Sequence, residues 1–322
     1  MSAAINFLNG IGKRLYRSLN IGKQQDVNAP LLNREEILDL SYRAEALDKK
    51  SEHYYEVAHR QYGDARSVYR GFGMDYEESR PYQSGDDFRF MNWRLSARTG
   101  ELHMKVFREE RQPSVFILMD RRASMRFGTQ GRLKVTQAAR IASLLAFSAQ
   151  NHNTPVGGVL LEEQPTWIAE FHNNTGAFTF INAANQACPP LDDETIEQST
   201  THIIKLLHGM LVQGSIVYLI GDFHDISQES HSGLLQLACE HRVYAIRIID
   251  EAEINLPKSG ELEFVDNNIQ RIDTENKKTR DTYHNLVERK RQEQEKIFAS
   301  ADITCIDIHS NEDAIERYVP VP

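Results

Sequence analysis

Apolar and polar positions change period along this chain, and the changes mark its elements. Residues 115–119 (VFILM) and 216–220 (IVYLI) are unbroken apolar runs of strand length, the pattern of strands buried on both faces. Residues 156–161 and 243–249 read as two more strands. Residues 166–171 read as a partner for the first of these, and 303–308 as a late strand. Between them the period lengthens. Val135, Ala138, Ala139, Ile141, Ala142, Leu145 and Ala146 form one face of a helix over 133–150. Residues 178–187, 201–212 and 234–241 also read as helices, and a short one closes the chain near 313–318. Strands separated by helices predict an α/β domain, with a mostly parallel sheet covered on both faces.

The pattern upstream is different. Asn33 followed by Glu35 and Glu36 marks a helix start, and Ile37, Leu40, Ala44 and Leu47 give that helix an apolar stripe to about residue 59. Residues 1–25 hold no acid but carry Lys13, Arg14, Arg17 and Lys23, with Ala4, Leu8, Ile11, Leu15 and Leu19 at helical spacing. Such a basic amphipathic segment either lies on an anionic membrane or packs on protein, and Gly10, Gly12 and Gly22 weaken it as a helix. Residues 63–112 are rich in Gly, Arg, Asp and Tyr and have little period, apart from the alternation of LHMKVF. The expected organisation is therefore an N-terminal helical region (1–62), a segment with some β-structure (63–112) and an α/β domain (113–322). Residues 274–298 read as a solvated helix with Tyr283, Leu286, Val287 and Phe298 turned inward.

Composition narrows the function classes. The 322 residues are 40% hydrophobic and 26% charged, ordinary for a soluble globular protein. A net charge of -9 argues against a general nucleic-acid binder. Cys188, Cys239 and Cys305 are widely spaced, giving no zinc framework and fitting a reducing compartment. No apolar run approaches the ~18 residues of a membrane span, and no secretory leader is visible. The expected location is cytoplasmic, with contact at the inner face of the membrane if residues 1–25 bind there.

Two aspartates follow apolar strands: Asp120 after VFILM and Asp222 after IVYLIG. Ligands of open parallel sheets collect in the crevice beyond such strand ends. Two carboxylates meeting there need a counter-charge, which Mg2+ supplies in many proteins. Arg122, two residues after Asp120, is a rival source, because a guanidinium stays charged and has no lone pair for a metal. A third reading makes Asp120 a simple helix cap.

The run Asp120-Arg121-Arg122-Ala123-Ser124 resembles the D-x-S-x-S loop of a von Willebrand factor A domain's metal-ion-dependent adhesion site, with Arg122 at one serine position. The resemblance implies a site from Asp120, Ser124 and Asp222, completed by Thr200 or Thr201, of which Thr201 is favoured. More widely, the chain resembles the bacterial domain-of-unknown-function family fifty-eight over roughly residues 65–315. The matching positions are Gly71, Gly73, Arg80, Tyr82, Gly85, Asp86, Asp87, Arg89, Trp93, Ala97, Arg98, Asp120, Ser124, Met125 and Gly221-Asp222-Phe223, with the segment IIDEAEINLPKSGELEFVD. Asn92 replaces an aspartate usual in that family. Members are von Willebrand factor A-like proteins often encoded beside AAA+ ATPases of the MoxR group. The implied function is non-enzymatic: an adaptor or co-chaperone for such an ATPase. Arg122 is then expected to pair with a partner carboxylate. Arg80, Asp86, Asp87, Arg89, Trp93 and Arg98 read either as a paired network anchored by Trp93 or as a docking surface for an acidic partner.

Enzyme readings are weaker. GDFHD at 221–225 fits one element of binuclear metallophosphoesterases, but the expected upstream D-x-H and later G-N-H elements are missing. His224 and Asp225 therefore read as ordinary loop residues. No G-x-S-x-G elbow or phosphate-binding P-loop occurs.

Overall fold

The computed structural model describes residues 29–62, 75–83, 86–108, 113–171, 174–189, 198–258, 260–265 and 269–321. Residues 1–53 and 113–322 form one unit, and 54–112 form a second. The expected membrane-binding segment, 1–25, lies outside the described residues, as do Gly71, Gly73 and Gly85.

The larger unit is built on a six-stranded sheet. In chain order its strands are β3 (Val115–Asp120), β4 (Val156–Leu161), β5 (Thr166–Phe171), β6 (Ile216–Gly221), β7 (Arg242–Ile249) and β10 (Thr304–His309). Their spatial order is β10-β7-β6-β3-β4-β5, and every pair is parallel except β4 with the edge strand β5. Central β3 is buried along its whole length, and its side chains alternate between two cores. Val115, Ile117 and Met119 face one layer; Phe116 and Leu118 face the other. The first layer holds α3 (Lys134–Asn151) and α4 (Asn174–Ala184). The second holds α5 (Thr200–Leu207), α6 (His231–Glu240) and α8 (Lys277–Ser300). This is the mostly parallel, doubly covered α/β sheet that the alternation of periods predicts.

Close packing sets some of the glycines. A Cβ on Gly158 of β4 would stand 2.2 Å from the Ile117 carbonyl oxygen and 2.5 Å from the Phe180 ring, so only glycine lets α4 seat on the sheet there.

The helix α1 (Arg34–Tyr62) starts with a reciprocal cap. The Glu36 amide donates to Asn33 Oδ1 (2.9 Å), and the Asn33 amide donates to Glu36 Oε2 (3.0 Å). Leu31, Leu32, Leu40 and Ala44 belong to the core beside α3, so the start of the N-terminal helical region is part of the α/β unit. The division between units falls inside α1, not at residue 62.

In the second unit, β1 (Asp75–Pro81) and β2 (His103–Arg108) pair antiparallel. A single turn at Phe88–Phe90 and the short α2 (Trp93–Thr99) lie between them in sequence. The larger unit also carries a one-turn helix α7 (Glu251–Ile254) and a hairpin of β8 (Glu261–Val265) and β9 (Ile269–Asp273).

Candidate functional site

Parallel strands bring their carboxyl ends to one edge, so the loops after β3, β6 and β7 meet there. The loop after β6 turns sharply. Phe223 takes a left-handed backbone (φ 55°), a costly conformation for a bulky side chain. Two contacts hold it: its ring packs edge-on against Phe298, and its carbonyl accepts from Gln294 Nε2 (2.8 Å). The turn aims Asp222, His224 and Asp225 back at the crest. Gly221 just before it leaves room for Asp120, since a Cβ there would stand 2.9 Å from the Asp120 Cβ.

Arg122 is the centre of the site. It is 2% exposed, and its guanidinium makes two forks. Toward Asp120, Nε donates to Oδ1 (3.0 Å) and Nη2 to Oδ2 (2.6 Å). Toward Asp225, Nη1 donates to Oδ2 (2.8 Å) and Nη2 to Oδ1 (3.1 Å). Nη2 also reaches Thr200 Oγ1 (2.9 Å), and Nη1 reaches the Gln198 carbonyl (3.2 Å). All three guanidinium nitrogens are therefore engaged, and a partner carboxylate would find none free. The expectation that Arg122 pairs with a partner is corrected here: the side chain is spent inside the molecule.

A second buried cation stands beside it. Lys134, at the start of α3 and 0% exposed, donates to Asp222 Oδ2 (2.9 Å) and Glu253 Oε1 (2.6 Å). His224 Nδ1 lies 2.9 Å from Asp222 Oδ1 and 3.2 Å from Ser124 Oγ. Burial disfavours these charges, and at Asp222, His224 and Asp225 the partners outweigh it. Burial raises the Asp225 carboxyl, but the hydrogen bond and charge of Arg122 pull it down to about 2. Burial raises Asp222 too, yet Lys134 and His224 hold it well below the usual carboxylate range. His224 is lowered by burial and raised more by Asp222, so it gains protons more readily than a free imidazole. Glu253 moves upward under burial, which makes Asp222 the firmer partner of Lys134.

Sequence reasoning brought Asp120, Arg122, Ser124 and Asp222 to this place, and the structure brings them together. It misplaced the threonine. Thr201 Oγ1 turns to Ser230 Oγ (2.6 Å), whereas Thr200 Oγ1 donates to Asp225 Oδ1 (2.9 Å) beside the guanidinium. It also took Asp225 for an ordinary loop residue and gave Lys134 no role. The signal for Asp225 was the unspent charge of Arg122. Lys134 carried none, because a lysine at a helix start usually faces water. The neighbours Arg121 and Arg126 point away. Arg121 donates to the carbonyls of Ala183, Gln186 and Ala187, in and just past the last turn of α4, where positive charge is favourable.

The donor set decides whether a metal fits here. Among the described residues, Asp120, Asp222 and His224 bring potential ligand atoms within 4.8 Å of one another. Each is already committed. Both Asp120 oxygens accept from Arg122, Asp222 accepts from Lys134 and faces His224 Nδ1, and neither Arg122 nor Lys134 can leave. A metal there would face two fixed cations at hydrogen-bonding distance from its ligands, so this arrangement does not fit one. Beside the crest a cavity of about 110 Å3 is lined by Asp222, His224, Glu253, Tyr283, Lys290 and Arg291, with α8 forming one wall.

The other predicted residues lie in the second unit. Arg80 makes a bidentate pair with Asp86 (2.8 and 2.6 Å), and Asp86 also accepts from the Gln83 amide (2.8 Å). Asp87 accepts from the Arg89 amide (3.0 Å) and pairs with its guanidinium (3.1 Å). Asn92 caps α2 by accepting from the Leu95 amide (3.2 Å), and its Nδ2 donates to Ser79 Oγ (2.9 Å). Trp93 is not the expected anchor: it is 65% exposed, with Phe88 at 56% and Phe90 at 41%. Arg89, Arg94 and Arg98 are exposed in the same stretch.

The sheet order and the antiparallel edge strand define a mixed α/β protein, with a mostly parallel sheet between helices and an aspartate-led loop at its crest. The family model described as "Protein of unknown function DUF58" matches residues 78–293, and the chain belongs to that family. Uncharacterized proteins of Mycobacterium bovis and Mycobacterium tuberculosis are 26% identical over 206 residues. The match covers 62% of this chain and 63% of each of those relatives. Among solved structures, an aerotolerance-related membrane protein from Bacteroides fragilis is similar at a TM-score of 0.40 and 15% identity, covering 61% of this chain and 92% of that one. A von Willebrand factor type A protein from Catenulispora acidiphila is similar at 0.31 and 8%, covering 46% and 35%. Among the described residues of this chain, no helix is long and apolar enough to cross a membrane.

Proposed function

We propose that this chain acts by binding protein, not by catalysis, and that its partner is a MoxR-type AAA+ ATPase. The observation that carries the binding reading is the run of exposed rings at Phe88, Phe90 and Trp93, interleaved in sequence with exposed Arg89, Arg94 and Arg98. Aromatic and arginine side chains are the groups most enriched in the energetic centres of interfaces. Here they sit on a stretch fixed by the Arg80–Asp86 pair and by the Asp87 and Asn92 caps, so little order is lost on docking. The basic charge among the rings suits an acidic surface with an apolar recess. The family resemblance supports the ATPase as the owner of that surface. At the sheet crest, the commitment of Asp120, Asp222 and Asp225 to internal cations supports binding over metal-assisted hydrolysis.

The test is affinity capture of the tagged full chain from its native cells, with Mg2+ and a non-hydrolysable ATP analogue, compared with a Phe88→Ala/Trp93→Ala variant. The expected result is near-stoichiometric recovery of an AAA+ ATPase by the wild type and its loss by the variant. Failure to recover an ATPase would remove the proposed partner. Equal recovery by the variant would remove the aromatic face.

A further inference from the structure

We infer that Arg122 is a built-in cation, and that its guanidinium covers a latent divalent-cation site formed by Asp120, Thr200 and Asp225. The inference stands on the crest geometry and does not depend on the binding partner proposed above.

Six oxygens converge on one side chain: both of Asp120, both of Asp225, Thr200 Oγ1 and the Gln198 carbonyl, all 2.6–3.2 Å from guanidinium nitrogens. They come from three separate parts of the chain: the loop after β3, the segment leading into α5 and the loop after β6. Every one is a hard oxygen donor, the type that holds Mg2+, Mn2+ or Ca2+. The two carboxylates carry twice the charge that the guanidinium cancels, and a divalent ion would cancel all of it.

The donors are also oriented without the guanidinium. The Arg122 backbone amide donates to Asp120 Oδ1 (2.9 Å). The Thr200 amide donates to Asp225 Oδ2 (2.7 Å), and the Thr200 hydroxyl to Asp225 Oδ1 (2.9 Å). Backbone groups supply two of these three bonds, and they remain when the Arg122 side chain is replaced. A shell that stays aimed after its cation is removed is a binding site for another cation.

The tether matters as much as the charge. Arg122 folds back onto a carboxylate two residues before it, so the cation arrives with the chain and needs no free ion. A guanidinium also cannot lose its proton at any physiological pH. The crest therefore keeps this counter-charge whatever the divalent-ion concentration. A partner that docks there cannot complete a metal's coordination shell with its own carboxylate.

The experiment uses the full chain and its Arg122→Ser variant, both stripped of metal. Mn2+ binding is followed by electron paramagnetic resonance, and thermal midpoints are read with Mn2+, with Mg2+ and with chelator. The wild type is expected to bind no Mn2+ at the crest and to melt at the same temperature in all three conditions. The variant is expected to bind Mn2+ at the crest, at least about tenfold more tightly than any residual binding by the wild type, and to gain thermal stability from it. Adding Asp225→Asn to the variant is expected to abolish the binding. A folded variant that ignores Mn2+ would reduce Arg122 to an ordinary buried ion pair and overturn the inference. So would Mn2+ binding by the wild type that Asp225→Asn removes. If the serine variant folds in no condition, Arg122→Gln, neutral but closer in volume, is read in the same way. Its failure to respond to Mn2+ would count equally against the inference.

Discussion

Arg122–Asp120 and Arg80–Asp86 look alike when measured by distance. Both are bidentate, and both have a shortest contact of 2.6 Å. They differ in surroundings. The crest pair is 2% and 3% exposed, while the pair in the second unit is 39% and 18% exposed. In water the charges of Arg80 and Asp86 lose little when parted. At the crest each charge has given up its hydration and depends on its partner. Equal geometry therefore stands for unequal energy, and burial decides which pair the fold relies on.

The largest expected effect breaks the crest pair. Arg122→Met leaves Asp120 and Asp225 buried without a cation, and should cost about 3–5 kcal/mol in urea unfolding. Arg80→Met should leave the midpoint unchanged within error. Similar losses from the two would mean that burial does not separate them. Lys134→Met follows, at about 3 kcal/mol. Its effect is softened because Glu253, already raised by burial, can take up a proton when the lysine is gone.

A finer contrast lies between two adjacent threonines. Thr200→Val removes a hydroxyl that accepts from Arg122 and donates to Asp225, and should cost about 2 kcal/mol. Thr201→Val removes one bond to Ser230, at a half-buried position, and should cost about 1 kcal/mol or less. Paired chemical-denaturation curves at one pH decide the order, and a reversed order would put Thr201 back at the site.

The same network sets a pH response with two limbs. His224 has a raised pKa in the folded state, so the stability from its pairing with Asp222 is complete below 6.5, the usual imidazole value. It is lost as pH climbs through the folded value. Asp225 is depressed, so its contribution is complete above the ordinary 3.8 and is lost as pH falls toward about 2. Thermal midpoints across this range should show both limbs. His224→Gln should flatten the alkaline limb and leave the acid limb in place. A variant with an unaltered alkaline limb would assign that loss to another group.

Much of this was legible in the sequence. The strands at 115–119 and 216–220, the helix over 133–150 and the inward Tyr283 and Phe298 of the charged helix all follow from period alone, because burial on one or both faces writes itself into spacing. Asp120 and Asp222 were visible as carboxylates at strand ends. Thr200 was not separable from Thr201, since one residue is a rotation of about 100° on a helix and sequence does not fix the phase at a first turn. Lys134 and Asp225 were missed for another reason. Their roles come from partners 88 and 103 positions away, and no local pattern records such a pairing. Trp93 failed in the opposite direction. A large aromatic among charges reads as an anchor, but the caps and ion pairs around it fix the loop without using its ring.

That failure yields a small predicted change in stability and the sharpest use of the comparison. A buried tryptophan cut to alanine typically costs about 3–5 kcal/mol. At 65% exposure the Trp93 ring has left little water behind, so Trp93→Ala should move the unfolding free energy by no more than about 0.5 kcal/mol. The prediction separates two reasons for keeping a tryptophan. If the ring is needed for packing, the loss will be several times larger and α2 will loosen with it. If the ring is needed for contact, stability will hold while partner capture falls. Crest and second unit would then divide the labour cleanly: charges buried for the fold in one, rings exposed for recognition in the other.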